Sequence, residues 1–249
     1  MIGFGNYRGS LHHAEDISDY KAVPGTQYGT NPGGVHTAPN GEKHYVKFYH
    51  NPEQAHAEVA TARVYEKMGA GTLNPRLVTH NGKIGVASKW RDDLQDIPHH
   101  DYHNPSEGMK HELAKHFVAG AVTKNWDTVG LEFDNLKKTP EGKVVSVDQG
   151  GSLHFRAQGG PKNFTPDADE YHSYRDAGLN HASAHAFKTV TNDHLHKAFH
   201  EMKASHTDED IHHIFKNSGL PNASHFSETL ISRREALGHH ISSALKPQA

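Results

Sequence analysis

A lysine in the middle of an apolar strand limits what this chain can fold into. Residues His44-Tyr45-Val46-Lys47-Phe48-Tyr49 alternate in the manner of a half-buried strand, with Lys47 at their centre. An ammonium there is costly unless it has a partner or its strand faces a cleft. Eleven residues on, Glu58 sits in a helix that Asn51-Pro52 starts, that runs to Met68 and that Gly69 stops. Its same-face neighbours at +4 and +7 are Ala62 and Tyr65, so the carboxylate points inward, where alone it is unfavourable. Singly, each residue passes for an ordinary surface group. A Lys47–Glu58 ion pair resolves both problems and predicts that this strand packs against this helix.

The rest of the N-terminal half reads as hairpins. Residues 1–24 are mixed and polar and are expected to wrap the surface, and 24–34 are a loop rich in Gly, Pro, Thr and Asn. A short strand at 35–38 is followed by the hairpin turn Pro39-Asn40-Gly41. Two more strands fit 76–80 and 84–90, joined by Asn81-Gly82. The pattern changes after Trp90, where 92–105 form a polar linker with two prolines. Residues 110–124 read as a helix with Leu113, Phe117 and Ala121 along one stripe. A loop over 125–134 leads to a second hairpin, 135–139 and 143–147, turned at Glu141-Gly142. From Ala168 onward the chain is mainly helical. Thr207 and Asp210 make a capping box, and Leu230, Leu237, Ile241 and Leu245 mark a last amphipathic helix. The expected class is α+β in two lobes with a cleft between them. It has an extension at 1–24, a β-rich N-lobe at 25–90, a linker at 91–105 and a mainly helical C-lobe at 106–249.

Composition narrows the function classes. The 249 residues suffice for two lobes, and no apolar run approaches the roughly 20 residues of a membrane span. Residues 1–8 lack the regions of a signal peptide, so a cytoplasmic protein is expected. A net charge of −3 argues against a nucleic-acid binder. With no cysteine there is no thiolate chemistry. The 25 histidines make net charge steeply pH-dependent between about 5 and 7. His181/His185 and His196/His200 are spaced to share a helix face and hold zinc. No cysteine or H-E-x-x-H pattern supports that, and the plainer reading is a histidine-rich surface.

The candidate chemistry lies on either side of the linker. The loop Gly25 to Gly34, with Gly29, Thr30, Asn31, Gly33 and Gly34, matches neither a P-loop nor a Rossmann fingerprint. Its glycines nonetheless let backbone N–H groups approach a phosphate, just before the strand of Lys47. Phosphoryl transfer uses a lysine–glutamate pair against the nucleotide phosphates. It also needs a carboxylate near the acceptor hydroxyl, and an Asn and an Asp holding magnesium. Asp127 follows the helix, Asn135 starts the second hairpin, and Asp148 closes it thirteen residues later in Asp148-Gln149-Gly150-Gly151. Arg156 and Lys162 follow, as contacts for the acceptor or a phosphate or as a solvated basic loop. Trp126 is expected to be a buried anchor for the Asp127 loop, and Trp90 to pack between the lobes.

This order of elements resembles the protein-kinase-like fold. Asn31-Pro32-Gly33-Gly34, Tyr45-Val46-Lys47-Phe48, Asn125-Trp126-Asp127, Asp134-Asn135 and Val147-Asp148, with Gly150-Gly151-Ser152-Leu153 and Phe155-Arg156, look similar to a set of bacterial and phage-borne atypical kinases. That set is distantly similar to HipA-like kinases. The resemblance covers about residues 25–160. It implies ATP and Mg²⁺ as cofactors, a protein Ser/Thr hydroxyl as acceptor, and the host cytoplasm or a virion as location if phage-encoded. By it, Lys47 would contact phosphates, Glu58 would orient Lys47, Asp127 would be the base, and Asn135 and Asp148 would bind Mg²⁺. Ser88, Lys89 and Trp90 would hold the adenine. The kinase catalytic loop places Asp and Asn about five apart. Here Asp127 and Asn135 are eight apart, which leaves Asp134 as an alternative metal ligand. No His-Arg-Asp, Asp-Phe-Gly or Ala-Pro-Glu is present, so regulation by activation-loop phosphorylation is not expected. Two other readings stay open: an AMP transferase on the same fold, and a non-catalytic pseudokinase or phage structural protein.

Overall fold

The strand that carries Lys47 lies inside a sheet, not at its edge. The computed structural model describes residues 14–246, so the reading of residues 1–8 as lacking a signal peptide lies outside the described residues. Its strands are β1 (Glu15–Asp16), β2 (Lys21–Ala22), β3 (Gly33–Thr37), β4 (Lys43–Phe48), β5 (Gly71–Thr72), β6 (Arg76–His80), β7 (Lys83–Lys89), β8 (Gln95–Asp96), β9 (Leu136–Lys138) and β10 (Val144–Ser146). The helices are α1 (Pro52–Lys67), α2 (His99–His103), α3 (Glu107–Thr123), α4 (Glu170–Ser173), α5 (His181–Ala186), α6 (Asn192–Ser205), α7 (Asp208–Lys216) and α8 (Ala223–Ala244).

One sheet has the order β1-β6-β7-β4-β3-β2, antiparallel except for the parallel β1–β6 pair. In it Lys47 lies opposite Gly33 on one side and Val86 on the other. Both neighbouring strands carry a glycine beside Lys47. A Cβ on Gly33 would meet the Val46 carbonyl, and one on Gly85 would come within 2.5 Å of the Lys47 carbonyl. Gly33 also has φ +153°, a backbone closed to most L-residues. The second sheet has the order β5-β10-β9-β8 and is built on the C-terminal hairpin.

Residues 15–22, read from sequence as a surface extension, supply two edge strands of the larger sheet. The polar linker supplies β8 and α2, and β5 crosses from the N-terminal half to pair with β10. All four added strands are two residues long, too short for an alternation to show. The hairpin turns at Asn40-Gly41 and Asn81-Gly82 occur where the dipeptides put them, with Asn81 at φ +50° and both glycines at positive φ.

Helix α1 is capped by Asn51, whose side chain accepts the Glu53 N–H, and Pro52 occupies its first turn. Nearly every residue from Gln54 to Tyr65 is buried, because α1 packs on β6 and β7 and also on α3 and α7. Helix α3, equally enclosed, runs through the helical half and ends in Lys124 at φ +56°. Arg233 of α8 secures that end. Its fully buried guanidinium donates to the carbonyls of Ala121 (2.7 Å), Val122 (2.9 Å), Thr165 (2.8 Å) and Asp167, and pairs with Glu170. The negative end of the α3 dipole is thereby met by a cation.

Burial holds two of the histidines, His116 and His206, well below the ordinary imidazole range. His116 donates from Nε2 to the Val144 carbonyl at 3.1 Å, and burial lowers its pKa to about 4. His206, 1% exposed, has neither ring nitrogen hydrogen-bonded among the described residues, and burial also lowers it to about 4. In the unfolded chain both return to about 6.5. The unfolded state therefore binds more protons below pH 6.5, and stability present above that value is lost as pH falls towards 4. The loss is up to about 3 kcal/mol per residue. Urea midpoints between pH 7 and 4 should fall accordingly, and His206→Phe should flatten the slope. An unchanged slope in that variant would exclude His206 as a source of acid instability.

Candidate active site

A cleft of about 1170 Å³ opens between the larger sheet and the helical half. Lys47 of β4 and Ser88 and Trp90 at the end of β7 line it, with Gly29, Thr30 and Asn31 from the β2–β3 loop. Asp127, Asp134, Asn135 and Asp148 reach it from the loops after α3, before β9 and after β10. Gly33 and Gly34 lie in β3 and Lys89 is exposed, all three outside the cleft lining.

Lys47 joins two carboxylates. Its Nζ is 2.6 Å from Glu58 Oε1 and 3.1 Å from Asp148 Oδ1. Glu58 is wholly buried, and its second oxygen accepts the Tyr49 hydroxyl. Burial disfavours the ammonium, but Asp148 and Glu58 outweigh it and hold the Lys47 pKa above the ordinary lysine value. Burial likewise pushes Glu58 up, and Lys47 opposes it. Asp148 Oδ1 also accepts the Gly150 N–H at 2.8 Å, which fixes the turn after β10. Gln54 of α1 donates to the Gly150 carbonyl at 2.9 Å and ties that turn to the helix of Glu58.

The loop between α3 and β9 is anchored at Asn125. The Asn125 carbonyl accepts Thr128 Oγ1 at 2.6 Å and the Tyr174 hydroxyl, and its side-chain amide donates to Tyr65. The three additional residues between Asp127 and Asn135 are taken up in turns, with Gly130 at φ +82° and Phe133 at φ +61°. Asn135 still returns to Asp127, donating to its carbonyl at 2.8 Å and to Oδ2 at 3.3 Å. Burial, then the charges of Asp148 and Asp134, raise the Asp127 carboxyl to about 6. Three carboxylates that repel one another at a cleft are a setting that a hard cation relieves. With its amide nitrogen engaged, Asn135 has its Oδ1 left to ligate, as Asp148 has Oδ2. Asp134 is exposed at the rim. Among the described residues no group of three or more His, Asp or Glu is arranged to hold a metal. A site with two protein ligands, completed by phosphate oxygens and water, suits Mg²⁺. His196 and His200 do meet on α6, Nε2 to Nε2 at 3.0 Å, but as an exposed pair.

Both tryptophans depart from the sequence reading. Trp126 is 39% exposed and lines the cleft, and the burial expected of it belongs to Asn125 beside it. Trp90 joins an aromatic group at the cleft mouth. Tyr28 stacks on it at 5.8 Å and 16°, Tyr45 lies 6.3 Å away, and the Tyr28 N–H donates to the Tyr45 hydroxyl at 3.0 Å. Sequence reasoning missed Tyr28, Tyr45 and Tyr49. Tyr45 was accessible to it, since a residue two before Lys47 in a strand shares its face.

Lys47→Met would leave Glu58 and Asp148 without their cation, at a cost of about 3–5 kcal/mol for breaking a buried pair. Adding Glu58→Leu should recover at least half of that loss in urea denaturation. A double variant no more stable than the single one would mean that the pair does not carry this energy.

No family model matches the chain, and no curated protein matches it in sequence. Solved structures match it in fold. The Helicobacter pylori proinflammatory kinase CtkA superposes with a TM-score of 0.64 at 14% identity, covering 94% of this chain and 100% of CtkA. The N-terminal 618-residue fragment of LepB from Legionella pneumophila gives 0.54 at 9%, covering 85% of this chain and 46% of the fragment. HipA from the Shewanella oneidensis MR-1 toxin–antitoxin system gives 0.45 at 15%, covering 83% and 61%. At such identities the first two likenesses carry the fold alone: the chain has an atypical protein-kinase-like fold, with a curled β-sheet lobe and a helical lobe.

Proposed function

We propose that this chain is an ATP- and Mg²⁺-dependent phosphotransferase acting on a Ser/Thr hydroxyl of a protein. The observation that carries the reading is Lys47 held between Glu58 and Asp148 at the floor of a cleft that also contains Asp127 and Asn135. Its match over all of CtkA, a kinase by name, supports the same reading.

In this reading the base lies near the strand end at Ser88, Lys89 and Trp90, with Tyr28 and Tyr45 as aromatic wall. Gly29, Thr30 and Asn31 present backbone to the phosphates, while Gly33 lets β3 run close to β4 and Gly34 lets it run close to Thr26. Lys47, kept charged by two carboxylates, positions the phosphates, and Glu58 and Tyr49 orient Lys47. Asn135 Oδ1 and Asp148 would hold Mg²⁺, which neutralises phosphate charge when bound; Asp134 is the reserve ligand. Asp127 is ionised at neutral pH and accepts the acceptor proton, steadied by Asn135.

Incubation with Mg²⁺ and α- or γ-labelled ATP tests this directly. Transfer of the γ label onto protein is expected; transfer of the α label with release of pyrophosphate would replace the reading by AMP transfer, and no transfer would leave a binding protein. Mg-ATP should raise the melting temperature only with magnesium present, by ~2.7 kcal/mol of linkage at a hundredfold excess over Kd. Asp127→Asn should keep that shift and lose about 10²–10⁴-fold in rate. Asp148→Asn should lose both, and exchange of the two phenotypes would refute the assigned roles. Lys47→Met should abolish transfer.

A further inference from the structure

Lys162 is a partly buried cation in the cleft that the machinery above does not use. Its Nζ donates to the Gly151 carbonyl at 2.6 Å and to the Lys124 carbonyl, and no carboxylate lies within ion-pair distance among the described residues. Two of its three N–H bonds are thus engaged, and the side chain lines the cleft together with Asp127 and Asp148. The charges that face it are unbalanced. Glu170 and Asp127 attract it, while Lys124, Arg156 and Arg233 repel it. Glu170 is itself paired with Arg233. Burial, and then these cations, lower Lys162 to about 7.

A latch between two backbone carbonyls does not need a charge. A neutral donor would bridge Lys124 and Gly151 without the cost of desolvating an ammonium among cations. The ammonium has a use if an anion arrives. In phosphoryl transfer the charge to be stabilised spreads over the oxygens of the group in flight. Lys47 is already matched by two carboxylates, and the segment from Asp127 to Asn135 contains no cation at all.

We propose that Lys162 is a further catalytic residue, whose ammonium hydrogen-bonds the phosphoryl group as it passes to the acceptor. This rests on the phosphotransfer reading above. The acceptor oxygen bonds to the γ-phosphorus, the bond from that phosphorus to the bridging oxygen breaks, ADP leaves, and the acceptor proton goes to Asp127. Lys162 keeps its proton throughout.

The test compares wild type, Lys162→Met and Lys162→Arg, each with label transfer, Mg-ADP affinity and calorimetry at pH 8. Lys162→Met should lower kcat by about 10²-fold or more with Mg-ADP affinity within about threefold, since ADP lacks the transferred group. Lys162→Arg should recover part of the rate by restoring the charge. At pH 8 the empty site holds Lys162 largely neutral, and an adjacent phosphate raises its pKa. Binding of Mg-ATP, measured in two buffers of different ionisation enthalpy, should therefore take up protons, Mg-ADP should take up fewer, and the difference should vanish in both variants. Unchanged kcat in Lys162→Met, or equal loss of ADP affinity and turnover, would overturn the assignment and leave a structural latch. If Lys162→Met does not fold, equal proton uptake for ATP and ADP in the wild type overturns it. Absence of label transfer in the wild type would instead remove the phosphotransfer reading, and this assignment with it.

Discussion

The buried contact between Lys47 and Glu58 is the constraint on which the surrounding structure depends. An ammonium and a carboxylate out of water are tolerable only with close geometry and their remaining hydrogen-bonding capacity met. Tyr49 meets that of Glu58 and Asp148 that of Lys47. The distance between them is set by β4 and α1, so each must be held rigidly. Glycines at 33 and 85 let the two flanking strands close on β4, and α1 is clasped on several faces. Gln54, one helical turn before Glu58, fixes the Gly150 turn and so aligns Asp148 with the same lysine.

Two cations of the helical half, one buried and one partly buried, show opposite solutions to one problem. Arg233 has a carboxylate and four carbonyls converging on its guanidinium, which leaves little for a ligand to add. Its planar fork suits that task. Lys162 lines the cleft with two carbonyls on its ammonium and, among the described residues, no carboxylate paired with it. The first is spent on holding α3 and its following loop in place; the second retains unsatisfied capacity where the chemistry is proposed.

What could be read from the sequence follows from the length over which a pattern persists. The strands β4, β6 and β7, the helices α1 and α3, and the hairpin β9–β10 carry enough residues for period and turn chemistry to agree. The closeness of Lys47 to Glu58 was legible because burial left each only one sensible partner. Two-residue strands at the sheet edges carry no such pattern, and they turned a supposed extension and linker into parts of the two sheets. The loop residues were harder still. Trp126 reads from sequence as a buried anchor of the Asp127 loop, yet it is the adjacent Asn125, bonded by Tyr65, Thr128 and Tyr174, that goes inside. Tyr28 could not be paired with Trp90 from sequence, since 62 positions separate them and no period links a loop to a strand end.

The two lobes share more than a hinge. Helix α1 belongs to the cores of both, β5 leaves the N-terminal half to pair with β10, and β8 attaches the linker to β9. A cut at the linker would therefore yield no modular halves: one fragment would expose the α1 face that packs on α3 and α7, and the other would lose both edges of its small sheet. The two halves therefore depend on each other for their cores and sheet edges, so the cleft is a property of the whole unit rather than of a joint between two parts.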